Sequence, residues 1–339
     1  MKQKQHYPEL TVMSGIAILF VLAIHGCGSS LRNFHPYDAT YVDAGLWLRA
    51  ISIFVSPAVP MFLFVSGFKY AANDTQTPYY RFLKKRLPRV LVSFAIINTL
   101  FWVLDSFKYM ESFNFILLAK TYLHSWVGYS VAYQLWYIPM YCFVILLCPL
   151  ARRVVPSIDA RFCVFAVIGI VQRVLEVRVP VLATYPIRFI SYPVFFEMGA
   201  LAREKKWCDK ICPVMGILGG GTYFLLVLAL SQAFPDFSEN GLTKYVVFYF
   251  AGTAAMYALS AAVESSRTLH WLGTVSYPVF LLHEPLIGRS MPLLLSKLNI
   301  RFEVVWLFAW VMLVLLVSVL IMQIFVKIRI DRVLWKFRI

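Results

Sequence analysis

Charge is scarce in this chain. Of its 339 residues only 14% are charged and 60% are hydrophobic, whereas soluble domains carry about 25% charged residues. A soluble core of this length cannot hide so much apolar surface. The strict apolar–polar alternation of a membrane β-barrel is missing too, and lipid forbids unpaired backbone, so helices are the expected elements. No HExxH, GxSxG or P-loop pattern occurs, which disfavours a zinc peptidase, a serine hydrolase and a nucleotide-driven pump. Six cysteines are present without a CxxC, and four of them fall in apolar runs. They read as apolar filling, with no disulfide framework and no metal site. No segment joins a basic face to enough sequence to fold apart from a membrane, so the net charge of +15 does not point to nucleic acid.

What the chain does have is long apolar runs. Each covers roughly 18–25 residues, enough for a helix to cross about 30 Å of hydrocarbon. Ten spans are expected, near residues 10–28, 48–70, 90–105, 134–151, 161–176, 187–202, 211–232, 243–263, 270–288 and 302–326. The fold class is therefore an all-α polytopic membrane helix bundle, a single domain over residues 1–339. The first run lacks a small-residue cleavage site and reads as a retained span. Pro57 and Pro60, and Pro278 and Pro285, are expected to kink or open their helices. With the amino terminus inside, 21 of the 32 Lys and Arg residues face the cytoplasm and 11 face outward. That bias places both termini in the cytoplasm of a plasma (inner) membrane. Trp335 and Phe337, among basic residues, suggest a tail lying on the inner surface. The stretch Phe113–Trp126 reads either as a short interfacial helix or as an ordinary amphipathic loop. No solenoid repeat and no matching halves are visible.

Ionisable groups at membrane depth are costly, so each is a candidate functional residue. His25 lies far along the first span. Ser14 is eleven residues earlier, three turns plus about 20°, and Thr11 about 40° off the same line, so the three share one stripe. His283 in the ninth span has Ser276 seven residues before it on nearly the same face. Each histidine suits either hydrogen bonding across helices or general-base chemistry. Glu197 and Arg188 are two further charges, placed to line a polar cavity or to pair with other spans.

Several motifs in order carry a resemblance. Glu9-Leu10 with Ile16-Ala17-Ile18 leads to His25; Pro60-Met61-Phe62 leads to Ser66-Gly67-Phe68. Lys85-Arg86-Leu87-Pro88-Arg89 precedes the third span, and Leu135-Trp136-Tyr137 with Cys148-Pro149-Leu150 marks the fourth. Gly273, Ser276-Tyr277 and Leu281-Leu282-His283 close the series. With this span count and orientation, the chain resembles the acyltransferase-3 family of ten-helix membrane acyltransferases over nearly its whole length.

The resemblance implies transfer of an acyl group, often acetyl, from cytoplasmic acyl-CoA to a hydroxyl of an envelope polysaccharide, a lipid-linked precursor or a similar acceptor. His25 carries over as catalytic, with His283 a weaker candidate. Arg86, Arg89 and the neighbouring Lys85 sit where the family's cytoplasmic arginines do, and guanidinium groups suit coenzyme A phosphates; positive-inside anchoring explains them equally. Thr11, Ser14, Glu197, Arg188, Trp136 and Ser276 are the candidate cavity residues. The family's first helix usually has an aspartate and an arginine where this chain has Thr11 and Ser14. Arg49, Lys69 or Arg188 are candidate replacement cations. Acyl-CoA is the donor and no cofactor is bound permanently; lipid and the acceptor glycan are the expected partners, and oligomerisation is compatible with the sequence. Two rival readings are a glycan or lipid-linked sugar transporter and a non-catalytic subunit of a polysaccharide assembly machine.

Overall fold

The computed structural model describes residues 7–33, 42–106, 115–129, 132–179, 184–284, 304–327 and 329. Among these, every regular element is a helix. The first half comprises α1 (Pro8–Asn33), α2 (Val42–Phe54), α3 (Ala58–Asn73), α4 (Tyr79–Ser106), α5 (Phe115–Ser125) and α6 (Tyr137–Val154). The second comprises α7 (Ile158–Arg178), α8 (Pro193–Glu204), α9 (Pro213–Ala233), α10 (Phe250–Ala262), α11 (Arg267–Glu284) and α12 (Val304–Lys327).

Seven stretches of the described residues are helical, long and apolar enough to cross a membrane: 8–27, 47–73, 79–104, 134–154, 213–233, 241–262 and 307–327. Charge and chain breaks set the other expected spans apart. α7 is long enough, but it carries Asp159, Arg161, Arg173, Glu176 and Arg178. The segment expected at 187–202 is broken into a turn at Tyr185–Arg188, a 3-10 turn at Phe189–Ser191 and then α8. Pro193 sits in the first turn of α8, where its missing N–H leaves no bond unmade. α11 continues as a helix through Pro278; Pro285 and the tail with Trp335 and Phe337 lie outside the described residues.

Two boundaries differ from expectation for physical reasons. The third span does not start at 90. α4 begins at Tyr79, so the basic motif with Arg86, Pro88 and Arg89 is helical instead of preceding the helix. Hydropathy hides this because the charges dilute the apolar run. The second span is interrupted at residues 55–57 between α2 and α3, next to Pro57. Phe115–Ser125 is a helix, and it lies along α4, where Asn98 Nδ2 donates to Ser125 Oγ at 2.6 Å.

α1 is the centre of the bundle, with Leu10, Val12, Met13, Ala17, Ile18 and Leu22 wholly buried. α7, α9 and α12 instead show Val167, Leu218, Leu225, Phe308 and Leu316 on their outer faces. Apolar side chains outside and packed helices inside are what lipid requires. Small residues set the closest approaches. A Cβ on Gly273 would run into the Thr11 carbonyl, and one on Gly15 into the Leu269 carbonyl, which presses α11 against α1. Gly67 and Gly199 do the same for α3 and α8.

Contacts at the ends give the directions. Gly273 meets Thr11, and His283 meets His25, so α1 and α11 run in the same direction. Parallel spans need an odd number of crossings between them, as the expected order of spans provides. Tyr7, at the start of α1, meets Phe68 near the end of α3 and Arg203 near the end of α8. Arg153 lies over Tyr79, and Lys205 pairs with Asp159. The basic turns thus gather at the end of the bundle where α1 begins.

A histidine pair beside a basic cavity

α1 and α11 bring the two intramembrane histidines together. The His25 and His283 rings lie 5.1 Å apart between centroids, tilted by 51°. His283 is fully buried and His25 half-buried. His283 Nδ1 lies 2.9 Å from the Phe280 carbonyl and 3.2 Å from that of Val279. A carbonyl can only accept, so Nδ1 carries the proton, and in the neutral ring Nε2 keeps the lone pair. Nε2 is buried and has no hydrogen-bond partner among the described residues. A buried acceptor of this kind beside a second imidazole is equipped to accept a hydrogen bond from it.

Below the pair, towards the start of α1, lies a cavity of about 620 Å³. Thr11 and Ser14 line it from α1, Arg86 and Arg89 from α4, and Ser276 from α11. Five of the candidate residues therefore meet in one space. Ser14 spends its proton on the Leu10 carbonyl at 2.9 Å, so towards the cavity its oxygen is an acceptor. Arg86 donates from Nη2 to Asp74 Oδ2 at 2.8 Å, and its guanidinium lies over the Phe82 ring. Lys85 approaches the same carboxylate at 3.7 Å and does not line the cavity.

The cavity changes character along its length. Lys69, Arg86, Arg89 and His270 supply basic side chains, and among the described residues no carboxylate lines it. Phe62, Tyr137, Ile138 and Phe280 make the apolar wall. Between them Ser66 is 3.1 Å from Tyr141, and Ser93 is 2.5 Å from Tyr277. The Ser93 hydroxyl also lies within reach of the Arg89 and Val90 carbonyls, and with its proton on either of them it accepts from Tyr277. His25 and His283 are not lining residues, but Phe280 touches both regions, with its ring 5.9 Å from that of His283.

Other candidates lie elsewhere. Glu197 accepts from Arg161 Nε at 3.0 Å, and Arg161 Nη1 also donates to the Val155 and Pro156 carbonyls. Arg188 pairs with Glu176, which also takes a bond from Arg173 Nη1 at 3.2 Å. Trp136 packs on Tyr192, 5.6 Å between centroids. These side chains close gaps between α7, α8 and their neighbours and do not face the cavity. Of the three candidate replacement cations only Lys69 lines the cavity that Thr11 and Ser14 share. His270 and Tyr141 carried no singular sequence signal, whereas Tyr277 stood in the Ser276-Tyr277 motif. Tyr137 did, since it adjoins Trp136 in the Leu135-Trp136-Tyr137 motif, but the aromatic facing the cavity is the second one.

A helical membrane bundle with a basic cavity near a pair of imidazoles defines the class: a multi-pass membrane protein equipped for group transfer. The chain belongs to the acyltransferase-3 family, whose acyltransferase-domain model matches residues 7–325. No curated protein and no solved structure matches the chain.

Proposed function

We propose that this membrane acyltransferase moves a short acyl group, acetyl in the simplest case, from acyl-CoA to a hydroxyl of an envelope polysaccharide or its lipid-linked precursor. The observation that carries the reading is the order of groups along one path: cations first, an apolar wall next, and the histidine pair beyond it. Lys69, Arg86 and Arg89 suit the phosphates of the donor through charge-assisted hydrogen bonds. The apolar stretch suits the pantetheine arm, and a thioester drawn along it points at the histidines.

In this reading His25 is the general base. It takes the proton of the acceptor hydroxyl as that oxygen attacks the thioester carbonyl. The C–S bond then breaks, the new ester leaves on the acceptor, and the thiolate recovers the proton from the imidazolium. His283 holds its acceptor nitrogen beside His25 and steadies the charged ring while the proton is carried. The cations of the cavity lie towards the basic end of the bundle, which in the charge-bias reading is the cytoplasmic side where acyl-CoA resides.

The test is transfer from labelled acetyl-CoA by purified protein, and acyl incorporation into envelope glycans in cells. His25→Ala at equal membrane expression is expected to lower transfer by about a hundredfold or more. Unchanged incorporation would remove the catalytic assignment. Uptake of a glycan into vesicles without any dependence on acyl-CoA would favour a transporter instead.

A further inference from the structure

Phe280 is the α11 lining residue of the cavity that lies nearest the histidine pair. The α11 residues that line the cavity run from His270 to Phe280 and stop there. Ten residues of helix cover about 15 Å, so the lining ends one turn short of His283. The Phe280 ring is 6% exposed and meets Tyr137 edge-on, 5.3 Å between centroids at 69°. On its other side it lies against His283, whose Nδ1 is bonded to the carbonyl of the same Phe280. One residue therefore lines the cavity and orients the neighbouring imidazole, through separate groups. The ring does the first and the backbone does the second.

We infer that the Phe280 ring sets the length of the acyl group this site accepts. The inference rests on the acyl-CoA reading given above. A donor anchored by its phosphates at Lys69, Arg86 and Arg89 has a fixed reach, and its acyl end arrives where Phe280, Tyr137 and Ile138 converge. A two-carbon group fits against that wall. Each further methylene must displace the ring from packing it shares with Tyr137 and His283. Because the hydrogen bond to His283 comes from the main chain, a smaller side chain at 280 opens the wall and leaves that bond in place.

The experiment compares acetyl-, butanoyl- and hexanoyl-CoA as donors for the full-length protein in lipid, using Phe280→Ala and Phe280→Leu. In the unaltered protein, kcat/KM is expected to fall by about tenfold or more along the series, the size of effect that a misfit of a methylene or more produces. Phe280→Leu flattens the series, and Phe280→Ala flattens it further or inverts it. The shift in thermal unfolding caused by free CoA stays unchanged, because the cationic end is untouched. Should the Ala variant not fold, the Leu variant alone decides. An unaltered donor ranking in a folded variant overturns the inference while leaving the acyltransferase reading intact. An unaltered protein that neither binds CoA nor uses any acyl-CoA overturns both.

Discussion

At the scale of single residues, the costliest groups divide into those that are satisfied and those that are not. Glu197 and Arg161 are each about 3% exposed and meet at 3.0 Å, with two backbone carbonyls completing the guanidinium. His283 Nε2, equally buried, has no hydrogen-bond partner among the described residues. A satisfied buried pair holds the fold together, whereas an open acceptor beside a second imidazole is suited to hold a hydrogen bond from that ring. Glu197→Ala is therefore expected to destabilise the protein by about 3–5 kcal/mol, because it leaves Arg161 charged and buried without its partner. Replacing both, as Glu197→Leu with Arg161→Met, should recover most of that loss. Thermal unfolding in detergent measures both effects, and transfer per folded molecule should hardly change. A stable Glu197→Ala protein that has lost transfer would put Glu197 back among the cavity residues. From sequence, Glu197 and His25 look alike, both being ionisable groups at membrane depth. They separate only through partners, and the partner of Glu197 is on α7, whose weak apolar signal hides how it packs. The stripe of Thr11 and Ser14, by contrast, was legible, since helical spacing alone puts the two on one face.

At the scale of elements, the site depends on how closely α11 lies against α1. Gly15 and Gly273 allow that approach, and it brings two histidines from opposite ends of the chain to a ring separation of 5.1 Å. A methyl group at 273 must push the Thr11 carbonyl aside. Gly273→Ala is expected to cost about 1–3 kcal/mol, the usual result of overpacking, and to lower transfer further by moving the histidines apart. Gly219→Ala is the matching control. A Cβ there meets nothing within 4 Å, and a helical alanine is favoured over glycine by up to about 1 kcal/mol. Unfolding temperatures that fell equally in both variants would show that close packing is not what Gly273 serves. The motif containing Gly273 was visible in the sequence, yet its role was not. Spacing tells which residues share a helix face but not which helix that face meets. The start of α4 was hidden for a different reason. Arg81 to Arg89 dilute the apolar run, while Asp74 and the cavity give Arg86 a place on a continuing helix.

At the scale of the whole molecule, the question is which end faces the cytoplasm, and two cysteines can report it. Cys208 and Cys212 lie between α8 and α9, outside the membrane-crossing stretches, in the connection that follows Arg203 and Lys205 at the basic end of the bundle. Cys212 is exposed and Cys208 half-buried. Burial first, and then the negative charges of Glu9 and Glu264, push the Cys208 thiol above its usual range. The thiolate is the reactive form. With a raised pKa, Cys208 stays protonated near neutral pH and gains reactivity only as the medium becomes alkaline. With the basic end in the cytoplasm, a membrane-impermeant maleimide added to intact cells should label neither residue. Added to inside-out vesicles it should label Cys212 promptly. Cys208 should follow slowly, faster as pH rises, and sooner at a given pH once Glu9 is replaced by Gln, because the like charge is removed. Single-cysteine variants keep the exposed Cys163 from confusing the readout. Labelling of Cys212 from outside would reverse the orientation, opening the cavity away from cytoplasmic acyl-CoA. The donor assignment would then fall even with the histidine pair in place, because cytoplasmic acyl-CoA can serve this cavity only if the basic end faces the cytoplasm.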